Sequence, residues 1–350
     1  MKIVSIVGAR PQFIKAAAVS RLLRERNREI LVHTGQHYDY EMSGIFFDGL
    51  DLPPVDVNLE VGSGTHGAQT SAMLKGVEEV LLTERPDYLL VYGDTNSTLA
   101  GALAASKLSI PVAHVEAGLR SFRRCMPEEI NRVIADHLSD LLFCPSELAV
   151  QNLTAEGIIS NVHVVGDVML DVLNWATKRL AAEAPEILNR LSLRKGEYLL
   201  ATMHRSENTD DRGRLQQILN AFNQLDEPVV FPVHPRTRKA IADSGYDIQP
   251  HVYLIQPLGY LDMVALAAGA RLIMTDSGGL QKEAYWLAVP CITLRAETEW
   301  VETVEAGWNK LAGSDTKRII AAVRSFAPNG THPPLYGDGH AALKCVELLN

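Results

Sequence analysis

The chain has 350 residues, about twice a typical single domain, which sets the expectation of two. Its 33 basic and 42 acidic side chains leave a formal net charge of −9, excluding a protein that wraps nucleic acid or coats an anionic membrane. No stretch reaches the ~18 consecutive apolar residues of a membrane span, and the apolar run 2–7 is too short for a signal-peptide core, so a cytoplasmic protein is expected.

Short β-branched runs alternate with longer amphipathic stretches from end to end, the pattern of βαβ units in parallel sheets. The first predicted strand, 2–7, runs into Gly8-Ala9-Arg10-Pro11 without a G-x-G-x-x-G, so no dinucleotide fingerprint is present. Pro11 suits the first turn of a helix. Arg10 and Lys15 there oppose the helix dipole, which favours a bound phosphate over a merely solvated pair. After strands at 30–33 and 88–91 comes Gly93-Asp94-Thr95, where Asp94 reads equally as helix cap or catalyst.

Strand 112–115 ends in Glu116-Ala117-Gly118, and a carboxylate closing an apolar run is expected to be desolvated, toward general-base range. Pro127-Glu128-Glu129 then opens a helix whose positions Ile130, Val133, Ile134, Leu138 and Leu141 define the face expected to meet the core. Glu128 and Arg132 share the other side, where a solvated ion pair is the plain alternative to a role in chemistry. Strands at 141–144 and 162–165 complete the first set.

A helical stretch, 167–194, separates this set from strands at 198–202, 229–232, 252–255, 272–275 and 291–294. The expected domains are 1–168 and 169–337; the closing helix, within 338–350, can pack on either, with the first as one option. Polar motifs again follow the strands: Met203-His204-Arg205, His234-Pro235-Arg236 and Thr275-Asp276-Ser277-Gly278-Gly279. Ligands of open parallel sheets sit at such strand ends. Amides at Ser277-Gly278-Gly279 suit a diphosphate or a ribose hydroxyl, and Glu283, about one turn in, suits ribose hydroxyls; a plain cap by Ser277 is the alternative. Cys125, Cys144, Cys291 and Cys345 lie far apart with no metal-ligand spacing, so buried reduced thiols and no metal are expected.

Taken in order, several stretches resemble the non-hydrolysing UDP-N-acetylglucosamine 2-epimerase family over nearly the whole chain. They are Gly8-Ala9-Arg10-Pro11 with Ile14-Lys15, Gly35-Gln36-His37, Gly93-Asp94-Thr95, His114-Val115-Glu116-Ala117-Gly118-Leu119-Arg120 and Pro127-Glu128-Glu129-Ile130-Asn131-Arg132. His204-Arg205 with Glu207-Asn208, and the Thr275 to Gly279 motif with Gln281 and Glu283, extend the match. The resemblance implies an α/β fold of two Rossmann-like parallel-sheet domains facing across a cleft, the GT-B architecture. It implies catalytic roles for Asp94, Glu116, Glu128 and His204, and sugar or diphosphate contacts for Arg10, Lys15, Arg132 and His204. Ser277, Gly278, Gly279 and Glu283 would hold the uridine ribose and phosphate, with Met263 near the uracil. It further implies a UDP-sugar substrate, no cofactor, no metal and a homodimer.

The sequence departs from the family in places. Gln12-Phe13 replaces the commoner Glu-Ala or Glu-Ile, and Trp300-Val301 stands where Arg-Pro is usual; both resemble relatives acting on UDP-2,3-diacetamido-2,3-dideoxyglucuronic acid. Many members bind a second substrate molecule as activator near Gln36, His37 and Gln69; here Ala68 replaces an Arg and Asp39 a Gln, which argues against such activation. A GT-B glycosyltransferase, a hydrolysing relative and a non-catalytic nucleotide-sugar sensor stay open as alternatives, separable by acceptor dependence, product analysis and C2 exchange.

Overall fold

The apolar runs pair as two parallel sheets in the computed structural model, which describes residues 1–36, 50, 52–182, 186–328 and 330–350. His37 and Asp39 lie outside the described residues. The chain forms two units, Met1–Trp175 with Tyr336–Asn350, and Ala176–Leu335.

In the first unit the strands are β1 Lys2–Val7, β2 Arg28–His33, β3 Val57–Asn58, β4 Tyr88–Tyr92, β5 Val112–Val115, β6 Leu141–Cys144 and β7 Val162–Val164, ordered β3-β2-β1-β4-β5-β6-β7 among the described residues. The second unit has β8 Leu199–Thr202, β9 Val229–Pro232, β10 Val252–Ile255, β11 Leu272–Thr275, β12 Cys291–Thr293 and β13 Asn309–Leu311, ordered β10-β9-β8-β11-β12-β13. Burial on both faces explains why central strands such as β1 and β4 read as almost unbroken apolar runs. Strand order reverses beside β1 and again beside β8, so the loops after β1 and β4, and after β8 and β11, part to opposite sides and leave a crevice.

The edge strands β3 and β13 were not expected: two and three residues with polar members carry no periodicity to read. The closing helix Ala341–Leu349 packs on the helix Arg10–Arg26 in the first unit. Its first amides, on Ala341 and Ala342, donate to the Asp171 carboxylate at 3.1 and 3.0 Å. Burial of Asp171 pushes its carboxyl above the usual range, against the pull of those two bonds.

Helix Pro127–Leu138 corrects the sequence reading. It buries Glu129, Asn131, Arg132, Ala135 and Asp136, whereas Ile130 and Ile134 are 47% and 37% exposed. Periodicity found two faces and assigned the wrong one to the core, because this helix covers the polar ends of β4 and β5 and must carry partners for them. Cys144, Cys291 and Cys345 are buried but Cys125 is exposed, a second departure. Among the described residues no helix is long and apolar enough to cross a membrane.

Candidate active site

The loop after β1 is held by Gln12, whose Oε1 accepts from the Gly8 and Ala9 amides at 2.8 and 3.1 Å and whose Nε2 donates to the Tyr92 carbonyl and Thr98 Oγ1 at 2.8 and 3.0 Å. Gln12, one of the departures from the family that pointed to a different sugar, is buried and joins the first loop to the end of β4. Gly8 admits no side chain, since a Cβ would lie 2.1 Å from Ser97 Oγ and 2.2 Å from Thr34 Oγ1. Arg10 opens the helix Arg10–Arg26, and one turn further the buried Lys15 ammonium reaches the Glu116 carboxylate.

Glu116 sits in the left-handed region at φ 71, a conformation that costs on the order of 1–3 kcal/mol for a side-chain-bearing residue and clusters at functional sites. It is held there because its amide and that of Ala117 both donate to the Phe143 carbonyl, at 3.1 and 3.0 Å. The Glu116 and Lys15 side chains are only 8% and 7% exposed, so the expected lone desolvated carboxyl is a buried ion pair. Gly93, at φ 60, packs against that pair; a Cβ would come 2.9 Å from Lys15 Nζ and 3.2 Å from Glu116 Oε2.

The next residue, Asp94, is no helix cap. Thr95 occupies the cap position, and Asp94 Oδ2 accepts from Arg132 Nη2 at 2.5 Å. Arg132, for which a solvated pair with Glu128 was the plain alternative to a role in the site, is buried and also lies 3.4 Å from Glu129. Glu129 accepts from the Ser121 and Phe122 amides at 2.9 and 2.8 Å, so it is tied to the loop while Glu128 stays exposed. Asn131 Nδ2 donates to the Asp94 carbonyl and to Asn96 Oδ1, at 3.0 and 3.2 Å. Asn96 in turn donates to Gln69 Oε1 at 2.9 Å, which places Gln69 within the wall of the site, while Gln36 accepts from Ser97 Oγ at 2.9 Å.

In the second unit Asp276 organises the loop after β8. Fully buried, it accepts from the His204 and Arg205 amides and from Asn208 Nδ2, each at 3.1 Å, and its Oδ1 lies 3.4 Å from His204 Nδ1. The His204 side chain remains 51% exposed. Ser277 caps the helix Gly278–Trp286 through Leu280 N at 3.4 Å, which realises the plain reading without using the Gly278 and Gly279 amides. Glu283 accepts from Tyr260 Oη at 2.9 Å, and Met263 packs against the core. Trp300 lies over the buried Lys282 ammonium, 3.8 Å from the ring centre, and beside Gly278, so a cation is present although Trp replaces the usual Arg. Arg295 and Glu299 form a buried two-bond pair at 2.9 and 3.0 Å. Burial works to raise the Glu299 carboxyl, and the Arg295 bonds and charge overcome it and hold it at about 2.

The first unit thus gathers Lys15, Glu116, Asp94 and Arg132; the second gathers His204, Ser277, Gly278 and Glu283 around the ends of β8 and β11. Sequence reasoning gave no role to Asn131, Asp136 or Asp276, nor to His114, although a histidine inside the apolar run Val112-Ala113-His114-Val115 was a legible signal of a satisfied buried polar group. Among the described residues no group of three His, Cys, Asp or Glu is placed to hold a metal ion.

The family model described as UDP-N-acetylglucosamine 2-epimerase matches residues 21–350. A UDP-N-acetylglucosamine 2-epimerase homolog of Methanococcus maripaludis is 55% identical, covering 100% of this chain and 99% of the relative. The UDP-2,3-diacetamido-2,3-dideoxy-D-glucuronate 2-epimerase of Pseudomonas aeruginosa is 47% identical with the same coverage. Among solved structures, the Methanocaldococcus jannaschii UDP-GlcNAc 2-epimerase in complex with UDP-GlcNAc and UDP aligns with a TM-score of 0.93 at 43% identity, over 100% of this chain and 99% of that one.

Proposed function

Since the chain belongs to the UDP-N-acetylglucosamine 2-epimerase family, we propose that it catalyses reversible inversion at C2 of a UDP-linked N-acetylhexosamine. The observation that carries the reading is the first cluster: a buried Lys15–Glu116 pair, with Glu116 in a strained backbone, beside an Asp94 held by Arg132.

The C2 proton of such a sugar is not adjacent to a carbonyl, so removing it alone is prohibitive. Elimination avoids the problem: C2 loses its proton as the C1–oxygen bond breaks, and the electron pair leaves with UDP, giving a 2-acetamidoglucal. Protonation at C2 from the opposite face and return of the UDP oxygen to C1 complete the inversion. Asp94, Glu116 and Glu128 supply the acid and base, their environments differing from paired and buried to exposed. Arg10, Lys15, Arg132 and His204 offer positive charge to the departing diphosphate. Ser277, Gly278, Gly279 and Glu283 hold the uridine ribose and phosphate, with Met263 toward the uracil.

The 2,3-diacetamido uronate is a second substrate reading, supported by the 47% identity to the Pseudomonas relative and by Trp300 over Lys282. Gln12 lends that reading no support, since its side chain is spent on the backbone. The chain is further read as a homodimer, supported by the exposed Ile130 and Ile134, and as cytoplasmic, supported by four free cysteines. Sedimentation of Ile134→Asp as monomer would match the first.

Each UDP-sugar incubated with the protein in deuterium oxide and followed by NMR tests the chemistry. Deuterium at C2 of both epimers, with no acceptor added and no free N-acetylmannosamine released, is the expected result. Epimers that retain the original hydrogen would overturn the elimination.

A further inference from the structure

His114 is the third residue of β5 and has no exposed surface. Its Nδ1 lies 2.7 Å from Asp136 Oδ1 and its Nε2 lies 2.7 Å from the Gly93 carbonyl oxygen. A carbonyl oxygen only accepts, so Nε2 carries a proton. Asp136 is equally committed: its Oδ2 accepts from Arg120 Nη1 at 2.7 Å and from the Gly118 amide at 3.2 Å. An arginine and an amide donating to the same oxygen keep the Asp136 carboxylate ionised whatever the state of His114. With Asp136 ionised, its Oδ1 is also an acceptor and Nδ1 carries the second proton.

We infer that His114 is a buried, doubly protonated imidazolium that clamps the Gly93 carbonyl and thereby positions Asp94 and the Lys15–Glu116 pair. Its charge is compensated locally. Arg120 makes two 2.7 Å bonds to Glu156 as well as its bond to Asp136, so two cations face two carboxylates, the condition under which charges persist in a protein interior. The charged groups around the imidazolium are Asp136 from the helix Pro127–Leu138, Arg120 and Glu156 behind it, and Lys15 and Glu116 across Gly93.

Gly93 is the pivot. One side of its peptide receives the imidazolium N–H; on the other, its α-carbon leaves no space before the ion pair, and the following residue is Asp94. A shift of this turn moves two carboxylates together. His114 touches none of the reacting atoms and is a positioning residue for the epimerase chemistry proposed above, on which this part of the inference rests.

Two measurements test it. In ¹H–¹⁵N spectra of the native protein, with signals assigned by their loss in His114→Gln, two ring N–H resonances with imidazolium nitrogen shifts are expected for His114; a single ring N–H would overturn the inference. In turnover, Gln keeps a donor near the Nε2 position and Asn keeps one near Nδ1. His114→Asn should therefore lose about 100-fold in kcat, the scale of a displaced catalytic group, while His114→Gln keeps most of the rate. Equal losses in the two variants, or native kcat in His114→Asn, would refute the clamp. Two ring N–H signals in a native protein that turns over no UDP-sugar would uphold the imidazolium and remove the epimerase reading instead.

Discussion

Gly93→Ala is the sharpest single perturbation of the first cluster. Alanine at φ 60 carries a left-handed penalty of roughly 1–2 kcal/mol. Its Cβ would stand 2.9 Å from Lys15 Nζ, closer than real Cβ atoms come, so the ammonium must move off Glu116. Disturbing a buried pair adds about 1–3 kcal/mol, for a total of about 2–5 kcal/mol. In a unit of this size that lowers Tm by roughly 4 to 20 °C. If the pair takes part in the reaction, kcat falls about 100-fold at temperatures where the variant is still folded, and UDP binding weakens by much less, because Lys15 is one of several cations proposed for the diphosphate. Calorimetry of unfolding, steady-state kinetics and UDP titration read the three quantities. A lower Tm with native kcat would refute a catalytic role for Lys15 and Glu116.

The Arg295–Glu299 pair makes an acid-stability prediction. Glu299 is depressed from 4.5 to about 2, so its contribution, roughly 3 kcal/mol, is fully present above about pH 4.5 and is lost as pH falls through about 2. The urea midpoints of the native protein and Glu299→Gln should converge between pH 5 and 2; a constant gap would contradict the assignment. In the second unit, Glu283→Ala should weaken UDP binding about tenfold by calorimetry with little change in kcat, and the opposite pattern would move Glu283 out of the nucleotide site.

The βαβ alternation and the strand-end motifs were legible because a parallel sheet writes its burial directly into apolar runs. The helix Pro127–Leu138 was misread for the opposite reason. Its exposed face holds Ile130 and Ile134 and its buried face Glu129, Asn131, Arg132 and Asp136, so hydropathy points the wrong way wherever a helix covers polar strand ends. Asp94 could be placed after a strand from sequence as cap or catalyst, but its ion pair depends on Arg132, 38 residues away. The left-handed backbone of Glu116 left no mark either, since a positive φ is readily read only where glycine supplies it. The role of Gln12 shows the converse: a family difference that reads as substrate specificity is a backbone tie.

The route of the chain through its two units bears on the order in which they are completed during synthesis. Residues Ala176–Leu335 form the second unit without interruption, whereas the first needs the closing helix Ala341–Leu349, whose leading amides meet an Asp171 carboxylate 170 residues upstream. A ribosome therefore finishes the later unit before the earlier one, reversing the usual N-terminal-first sequence of domain folding. Until the closing helix emerges, the side of the helix Arg10–Arg26 on which it packs is bare, and a chain released after Leu335 would present a finished second unit attached to an unfinished first.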